Sequence, residues 1–232
     1  MEDSNSISVI IPFDSSLNNH HIDIYLQTIL DQKYQNIEVI VIDNNFTKNR
    51  SKLSHNFTDE IKYISQNYDH ISTAYNIGVE LTQGEFVAFI DLENLWLPDK
   101  LTIQMAAFDS YPKLDAVFGY INQPIISQIR ENSEYLSEKA SCQFKNIPGY
   151  IPSTMLIKRQ AWEQVGKFPK SFSIWHRKAV KLQLIMLMLP IIVAKRQIEL
   201  SPYGKDSDRA ASEYAKLLKA TMKSKDLGIR DS

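Results

Sequence analysis

Acidic side chains directly follow an apolar run in the segment Glu85–Leu101, EFVAFIDLENLWLPDKL. The run FVAFI has the composition of a strand buried on both faces, and Asp91, Glu93 and Asn94 come next in the chain. Carboxylate oxygens are the ligands that Mg²⁺ and Mn²⁺ prefer, often as one or two carboxylates together with substrate phosphates. The spacing therefore indicates a cation site at the end of this strand. The simpler alternative is a polar strand end solvated by water.

Further polar or aromatic candidates lie where two other apolar runs end. ISVIIPF ends in Pro12 and Phe13, and IEVIVID ends in Asp43, which Asn44 follows. In an open α/β sheet, ligands bind beyond the carboxyl ends of the strands, so these residues and the acids are expected at one edge. The alternative for Asp43 is that its carboxylate only caps the turn that follows.

The elements that position these residues are predicted from hydrophobic periodicity. Helices are expected over Ile22–Gln32, Ser72–Gly84 and Arg159–Gly166, with Ser72 as the N-cap of the second and Gly84 as its C-terminal stop. A third strand is expected over Ile61–Gln66. Because strands and helices alternate, the sequence predicts an α/β fold with a mostly parallel, Rossmann-like sheet flanked by helices.

The longest apolar run, Leu182–Ala194, is too short for a spanning helix, and Pro190 interrupts it. We expect it to form a buried helix followed by a strand, and membrane contact is the less favoured interpretation. An amphipathic helix over Ser212–Asp226 is expected to form a C-terminal extension.

Composition limits the class of protein. The chain has 232 residues, 26 Lys and Arg against 27 Asp and Glu, and a formal net charge of -1. This balance argues against a nucleic-acid partner, which would require a basic face. Cys142 is the only cysteine, so the chain forms no internal disulfide, as is common in a reducing compartment. The N-terminal MEDSNSISVIIPF lacks the pattern of a signal peptide, and we expect a cytoplasmic protein, with peripheral contact at the inner face of the membrane as an alternative.

Four motifs in order, SVIIPF, QKYQNIEVIVIDNN, STAYNIGVELTQGEFVAFIDLENLWLPDKL and PSTMLIKRQAWEQVGKF, resemble the inverting family 2 glycosyltransferases of GT-A fold. The resemblance covers roughly residues 7–168. It implies one domain over residues 1–205, with a nucleotide-binding half (1–100) and an acceptor half (101–205). Residues 206–232 would form the C-terminal helix and tail.

The resemblance assigns nucleotide-binding roles to the residues at the strand ends. The donor would be a nucleotide-diphosphate sugar, uridine-based, with Pro12 and Phe13 beside the base. Asp43 would accept from the uracil N3–H, and Asn44 stands where the family has a second aspartate. Tyr75 stands where the family usually has an Arg that pairs with the donor phosphate, so a charge-assisted contact is lost.

The acidic motif of the family, DSDD, holds a divalent cation together with the ribose and diphosphate of the donor. Here it reads DLEN and is a degenerate DxD motif. Asp91 matches the first acid, Glu93 the acid nearest the metal, and Asn94 replaces the last. The resemblance therefore implies Mn²⁺ or Mg²⁺ held by Asp91 and Glu93, with Asp91 also contacting the nucleotide.

The catalytic-base motif is missing. Family members place acids between a GxF turn and an aromatic residue, but PKSFSIWHRKA, residues 169–179, contains none. Trp175 retains the aromatic residue, and His176 is the candidate base because imidazole titrates near neutral pH. Packing is the alternative role for His176. The later basic motif of the family corresponds to AKRQIELSPYG, in which Lys195 and Arg196 supply the basic part.

These observations favour a glycosyltransferase that transfers a sugar from a nucleotide-diphosphate donor to an acceptor such as a polysaccharide, glycan or natural product. The alternative is a catalytically impaired GT-A module that binds or scaffolds, because three parts of the site are altered. A nucleotidyltransferase ranks last, since FDSSLNNHH has neither the glycine nor the lysine of a phosphate loop. The sequence indicates no oligomeric state.

Overall fold

The computed structural model describes residues 5–14, 22–44, 61–125 and 143–196. Their strands are β1 (Ile7–Phe13), β2 (Ile37–Asp43), β3 (Ile61–Ser65), β4 (Phe86–Phe89), β5 (Asn94–Trp96), β6 (Ala116–Ile125), β7 (Gln143–Pro148), β8 (Leu156–Lys158) and β9 (Met186–Arg196). Their helices are α1 (Ile22–Leu30), α2 (Ile71–Glu80), α3 (Lys100–Ser110), α4 (Arg159–Val165) and α5 (Phe172–Lys181), and a short 3-10 turn covers Pro152–Thr154.

These strands form one sheet in the order β3-β2-β1-β4-β8-β6-β9-β5, with β7 paired to β6. The pairs β1–β2, β1–β4 and β2–β3 are parallel, as the alternation of apolar runs and helices predicts. The second half adds the antiparallel pairs β4–β8 and β6–β8 and the parallel pair β6–β9. The predicted α/β fold is confirmed. Its first half brings the carboxyl ends of β1, β2 and β4 to one edge.

Helices cover both faces of the sheet. One apolar cluster joins the sheet to α1 and α3, and it includes Tyr25, Leu26 and Leu101. The other joins the sheet to α2, α4 and α5, and it includes Trp162 and Trp175. Because both faces are covered, every residue of β1 is buried, which explains why its sequence is a continuous apolar run.

A polar network joins the amino ends of β1 and β4 to α4. Arg159 donates to the carbonyl oxygens of Gly84 and Val79 and to the hydroxyls of Ser8 and Thr82, at 2.7–3.1 Å. The backbone N–H of Gly84 also donates to Ser8 Oγ at 2.9 Å. These bonds lie at the end of β1 and β4 opposite the candidate site, and they tie the first half of the sheet to helix α4 of the second half.

The prediction for Leu182–Ala194 is wrong in its first part, because the described residues contain no helix there. Leu182 is the C-cap of α5, and the apolar run from Met186 onward is strand β9. The run pairs with β6 along its length, and Pro190 is tolerated where the register between the two strands shifts. The hydrophobic periodicity of the sequence alone could not distinguish a short buried helix from a strand in this run.

The predicted ends of α2 are also wrong. His70 is the N-cap, and its side chain accepts from the backbone N–H of Ser72, which lies inside the helix. The helix ends at Glu80, before Gly84.

Helix α3 and the strands β5 and β7 were not predicted. The expected C-terminal helix over Ser212–Asp226, and with it the proposed division at residue 205, lies outside the described residues. Within the described ranges, no helix has the length and apolar character to cross a membrane.

Candidate functional site

The end of β1 and the end of β2 are joined by hydrogen bonds through Asn44 and Tyr68. The backbone N–H of Asn44 donates to the Phe13 carbonyl at 2.8 Å. The Asn44 side chain accepts from the backbone N–H of Tyr68 at 2.7 Å, and the Tyr68 hydroxyl donates to the same Phe13 carbonyl at 2.8 Å. Asn44 therefore organises the edge of the sheet between β1, β2 and the chain that follows β3.

Asp43 is buried at the last position of β2, with 2% of its surface exposed. Its carboxylate accepts from the Tyr63 hydroxyl on β3, and its carbonyl accepts from the backbone N–H of Gln66 at 2.9 Å. The phenol holds the carboxylate in a fixed orientation beside Phe13, which is 4% exposed. Pro12 lies one residue earlier, inside the buried strand β1.

Asp91 begins the turn after β4. Its Oδ1 accepts from the backbone N–H of Glu93 at 3.2 Å and from the side-chain amide of Asn94. Burial raises the pKa of the Asp91 carboxyl, and the nearby Glu93 carboxylate raises it further, while Arg196 and the two hydrogen bonds oppose the shift. Asp91 is thus a desolvated acid whose negative charge is only partly compensated.

Asn94 is fully buried beneath this turn. Besides its bond to Asp91, the amide nitrogen lies 3.0 Å from Ser153 Oγ, and the Trp96 indole donates to the Ser153 carbonyl at 2.8 Å. The amide oxygen of Asn94 has no hydrogen-bond partner among the described residues. The residue that replaces the last acid of the motif therefore joins the acidic turn to the 3-10 turn over Pro152–Thr154.

Glu93 faces a guanidinium. Arg196 Nη2 lies 3.6 Å from Glu93 Oε2, and the two side chains are 27% and 26% exposed. The contact follows from the sheet, because β5 and β9 are antiparallel and place Asn94 opposite Arg196. A basic residue at the end of β9 is thereby held beside the acids at the end of β4.

Two buried tyrosines lie within electrostatic range of the acids. Burial raises the pKa of Tyr75, and the charges of Asp91, Tyr68 and Glu93 raise it further. The Tyr75 ring packs edge-on against Phe89 at 5.0 Å. Burial and the same two acids also raise the pKa of Tyr25, whose hydroxyl donates to the Leu92 carbonyl. The position at which the resemblance expects an arginine is therefore occupied by a buried, neutral tyrosine.

His176 is buried on α5, with 4% of its surface exposed. Its ring packs among Tyr150 at 5.4 Å and Phe118 and Phe172 at 6.3 Å. Burial lowers the pKa of the imidazole, and Nε2 has no hydrogen-bond partner among the described residues. The ring is therefore neutral at pH 7 and enclosed by aromatic side chains.

The fold thus brings Pro12, Phe13, Asp43, Asn44, Tyr75, Asp91 and Glu93 to the carboxyl-end edge of the sheet, and it places His176 in an aromatic cluster. Sequence reasoning missed Tyr63, Tyr68 and Ser153. Tyr68 could have been found, because it follows β3 at the same edge. Ser153 had no signal, because only the tertiary structure carries the 3-10 turn to Asn94.

The acidic turn does not fit the usual divalent-cation site. No group of three or more His, Cys, Asp or Glu side chains that could hold a metal ion occurs in the part of the chain that the structure describes. Asp91 Oδ1 is engaged by Asn94, and Glu93 faces Arg196. A cation binding to both acids would have to displace a guanidinium or lie beside a second positive charge.

Comparison with known proteins gives a family match: the model of Glycosyl transferase family 2 matches residues 8–166. An uncharacterized glycosyltransferase of Rickettsia typhi is 23% identical over 179 residues, covering 73% of this chain and 55% of the relative. The Escherichia coli UDP-Glc:alpha-D-GlcNAc-diphosphoundecaprenol beta-1,3-glucosyltransferase WfgD is 28% identical over 123 residues, covering 52% and 47%. The chain spans about half the length of the curated relatives it matches.

A solved structure shows the same fold. The Pyrobaculum calidifontis mannosyltransferase in complex with GDP-Man and Mn²⁺ superposes with a TM-score of 0.68 at 16% identity, covering 95% of this chain and 65% of that one. At this identity the likeness establishes the GT-A fold alone.

Proposed function

The chain belongs to glycosyl transferase family 2, and we propose that it binds a nucleotide-diphosphate sugar at the carboxyl ends of β1, β2 and β4 and transfers the sugar to a hydroxyl acceptor. Phe13, Asp43 and Asn44 would lie beside the base of the nucleotide. Asp91 and Tyr75 would lie toward the ribose and diphosphate. Relatives named for UDP-Glc transfer and for a GDP-Man complex support a nucleotide-sugar donor, and the match of Asp43 to the family acid that accepts from the uracil N3–H favours uridine.

The observation that carries the proposal is the position of Asp43. Asp43 lies at the carboxyl end of a parallel strand, beside Phe13 of the neighbouring strand, and its carboxylate is the kind of acceptor that suits an N–H at the edge of a base. Its neighbour Phe13 is an apolar ring of the kind on which a base packs. At 4% and 2% exposure Phe13 and Asp43 are covered in this conformation, so a base reaches them only when the side chains around them move.

Calorimetry with UDP and GDP tests this proposal. We expect UDP to bind at up to millimolar concentration and Asp43→Asn to weaken binding by about tenfold, because hydrogen bonds to a charged group contribute about 1.5–3 kcal/mol. The control is Asp69→Asn, an exposed acid paired with Lys170, which should leave affinity unchanged. Absence of binding by either nucleotide would contradict a donor site.

We propose Asp91 and Glu93 as the carboxylates that would hold Mn²⁺ or Mg²⁺ if such an ion binds. Such an ion would neutralise the diphosphate of the donor. The pairing of Glu93 with Arg196 opposes the binding of an ion at these carboxylates. Nucleotide affinity measured with Mn²⁺ and with EDTA tests whether an ion takes part.

For the base, His176 is the residue that the sequence offers, and its Nε2, which has no hydrogen-bond partner among the described residues, can accept a proton. At 4% exposure the ring is closed to an acceptor hydroxyl in this conformation, so we expect slow transfer. A well-placed base contributes on the order of 10²–10⁴ in rate. If His176 is the base, His176→Ala should abolish transfer and leave nucleotide affinity intact.

A second candidate function is a binding or scaffolding module that retains donor binding without turnover. The enclosed position of His176 favours it, together with the lack of any Asp or Glu over residues 169–179. Radiolabelled transfer from UDP-sugars to an acceptor panel separates the two functions. Nucleotide binding without any transfer favours the module.

We also propose a cytoplasmic location with peripheral contact at the inner face of the membrane. The support is the outer side of α5, where Ile174 and Val180 are exposed together with Arg177 and Lys181. Apolar and basic side chains on one helix suit an anionic lipid surface. Sedimentation with anionic vesicles, against neutral vesicles as control, tests this contact.

A further inference from the structure

We propose that Arg196 supplies the positive charge that stabilises the donor diphosphate in this protein, and that Glu93 positions Arg196 for that task in place of holding a divalent cation. The inference rests on the proposed donor site. It assigns the diphosphate subsite to a guanidinium at the end of β9.

The sheet fixes the position of Arg196. Strands β5 and β9 are antiparallel, with Asn94, Leu95 and Trp96 opposite Arg196, Lys195 and Ala194. Since β5 begins three residues after Asp91, the end of β9 is brought to the acidic turn by backbone pairing. The charge of Arg196 acts on Asp91 as well as on Glu93. A single guanidinium therefore lies within range of both acids of the motif.

The ion pair leaves the guanidinium unsaturated. The separation of 3.6 Å between Arg196 Nη2 and Glu93 Oε2 exceeds that of a good hydrogen bond, so the Nη groups are not saturated by Glu93. The Nε atom is buried without a hydrogen-bond partner among the described residues, and contact with a ligand would fall to the Nη groups. The side chain is 27% exposed, so part of it faces solvent at the site. A diphosphate can accept two parallel N–H bonds from such a fork, and Glu93 keeps the fork at the site when no donor is bound.

The same geometry disfavours a cation. The last carboxylate of the motif is an amide here, and Asn94 uses its N–H to hold Asp91. An ion between Asp91 and Glu93 would lie next to Arg196, where two positive charges repel. This site has one carboxylate fewer than the family motif and an arginine beside it. The guanidinium can therefore neutralise the diphosphate without a second positive charge being brought close to Arg196.

Arg196 would act on the leaving group. During transfer the bond between the anomeric carbon and the phosphate oxygen breaks, and its electron pair remains on the nucleoside diphosphate. The acceptor oxygen forms the new bond to that carbon and loses its proton to a base or to water. Arg196 stabilises the charge that develops on the diphosphate, which is where a fixed positive group contributes most.

The test is calorimetry of the full chain with UDP and GDP, each in EDTA and in Mn²⁺, with uridine and guanosine as probes that lack the diphosphate. We expect binding of a nucleoside diphosphate in EDTA and a change of less than about twofold with Mn²⁺. Arg196→Gln should weaken diphosphate binding by about tenfold or more and leave nucleoside binding unchanged. Arg196→Lys should recover part of the loss, because it keeps the charge without the fork.

The control is Arg177→Gln, an exposed arginine on α5, which should match the unmodified chain. Thermal melts of each variant confirm that it is folded. Nucleotide binding that requires Mn²⁺ and is indifferent to Arg196→Gln overturns the role of Arg196 and leaves the donor site standing. If neither nucleotide binds in any condition, the donor site itself is overturned and the role of Arg196 with it.

Discussion

At the scale of single residues, the amide of Asn94 changes what the acidic turn can do. As a donor, it neutralises part of the charge of Asp91 and fixes that carboxylate from below, which a carboxylate at the same position could not do without a cation between them. With an amide at this position, hydrogen bonds from Asn94 and from the backbone of Glu93 to Asp91 hold the turn without an ion.

Restoring the acids tests this account. We expect Glu93→Asp with Asn94→Asp to lower the stability in EDTA by at least about 1 kcal/mol, because a buried carboxylate would then face Asp91. Added Mn²⁺ should recover the loss in the double variant and leave the unmodified chain within about 1 °C of its melting temperature. Thermal melts with Mn²⁺ and with EDTA give the comparison, with Glu93→Asp alone as control. An equal response of both chains to Mn²⁺ would contradict it.

His176 gives a second prediction at this scale. Burial holds the pKa of its imidazole below the ordinary value of about 6.5, so the unfolded chain binds this proton more readily than the folded chain. The stabilisation from His176 is complete above the unfolded pKa and is lost as the pH falls through the folded pKa.

We therefore expect His176→Phe to reduce the fall in stability between pH 7 and pH 5, by up to about 1.4 kcal/mol per pH unit below the unfolded pKa. Urea unfolding of both chains at several pH values measures this slope. Identical acid slopes in the two chains would mean that the ring becomes protonated without unfolding.

At the scale of elements, the candidate site lies at the carboxyl ends of the strands, and a stabilising hydrogen-bond network lies at their amino ends. Glu38 accepts from Ser8 Oγ at 2.6 Å and from the backbone N–H groups of Gln83 and Gly84 at 2.8 and 2.9 Å. Burial opposes ionisation, but these bonds and Arg159 outweigh it and lower the pKa of Glu38. The network binds β1, β2, β4 and α4 at the end away from the ligand edge.

Removing Arg159 should therefore cost stability without affecting binding. Arg159→Met keeps the length of the stem but leaves four acceptors without their donor, and we expect a loss of about 2–4 kcal/mol in the free energy of unfolding. Nucleotide affinity of the folded fraction should remain within about twofold. Arg177→Met is the control. A loss of affinity as large as the loss of stability would link this network to the site.

At the scale of the whole molecule, two halves of different construction share one sheet. The first half is a parallel arrangement of β1, β2, β3 and β4, and it carries the residues that we propose for the base side of the donor site. The second half contributes β9, which pairs with β6 and with β5 and places Arg196 beside the acidic turn after β4. The proposed donor site is therefore complete only when both halves pair, because it joins Phe13 and Asp43 of the first half with Arg196 of the second.

The sequence by itself determined the α/β class, the buried strands and the residues at their ends. Strand runs such as ISVIIPF are buried on both faces, so local composition is enough to identify them, and parallel pairing then requires their ends to share an edge. The resemblance to family 2 and the altered acidic motif could also be identified from the sequence, because both depend on short runs of consecutive residues.

Only the tertiary structure decided the partners of those residues. That Glu93 faces Arg196, that Asn94 bonds Ser153 and that His176 is enclosed by Phe118 and Tyr150 depend on contacts between residues far apart in the chain. The run Leu182–Ala194 was predicted wrongly for the same reason. Its propensities suit a helix or a strand equally, and pairing with β6 determines which one forms.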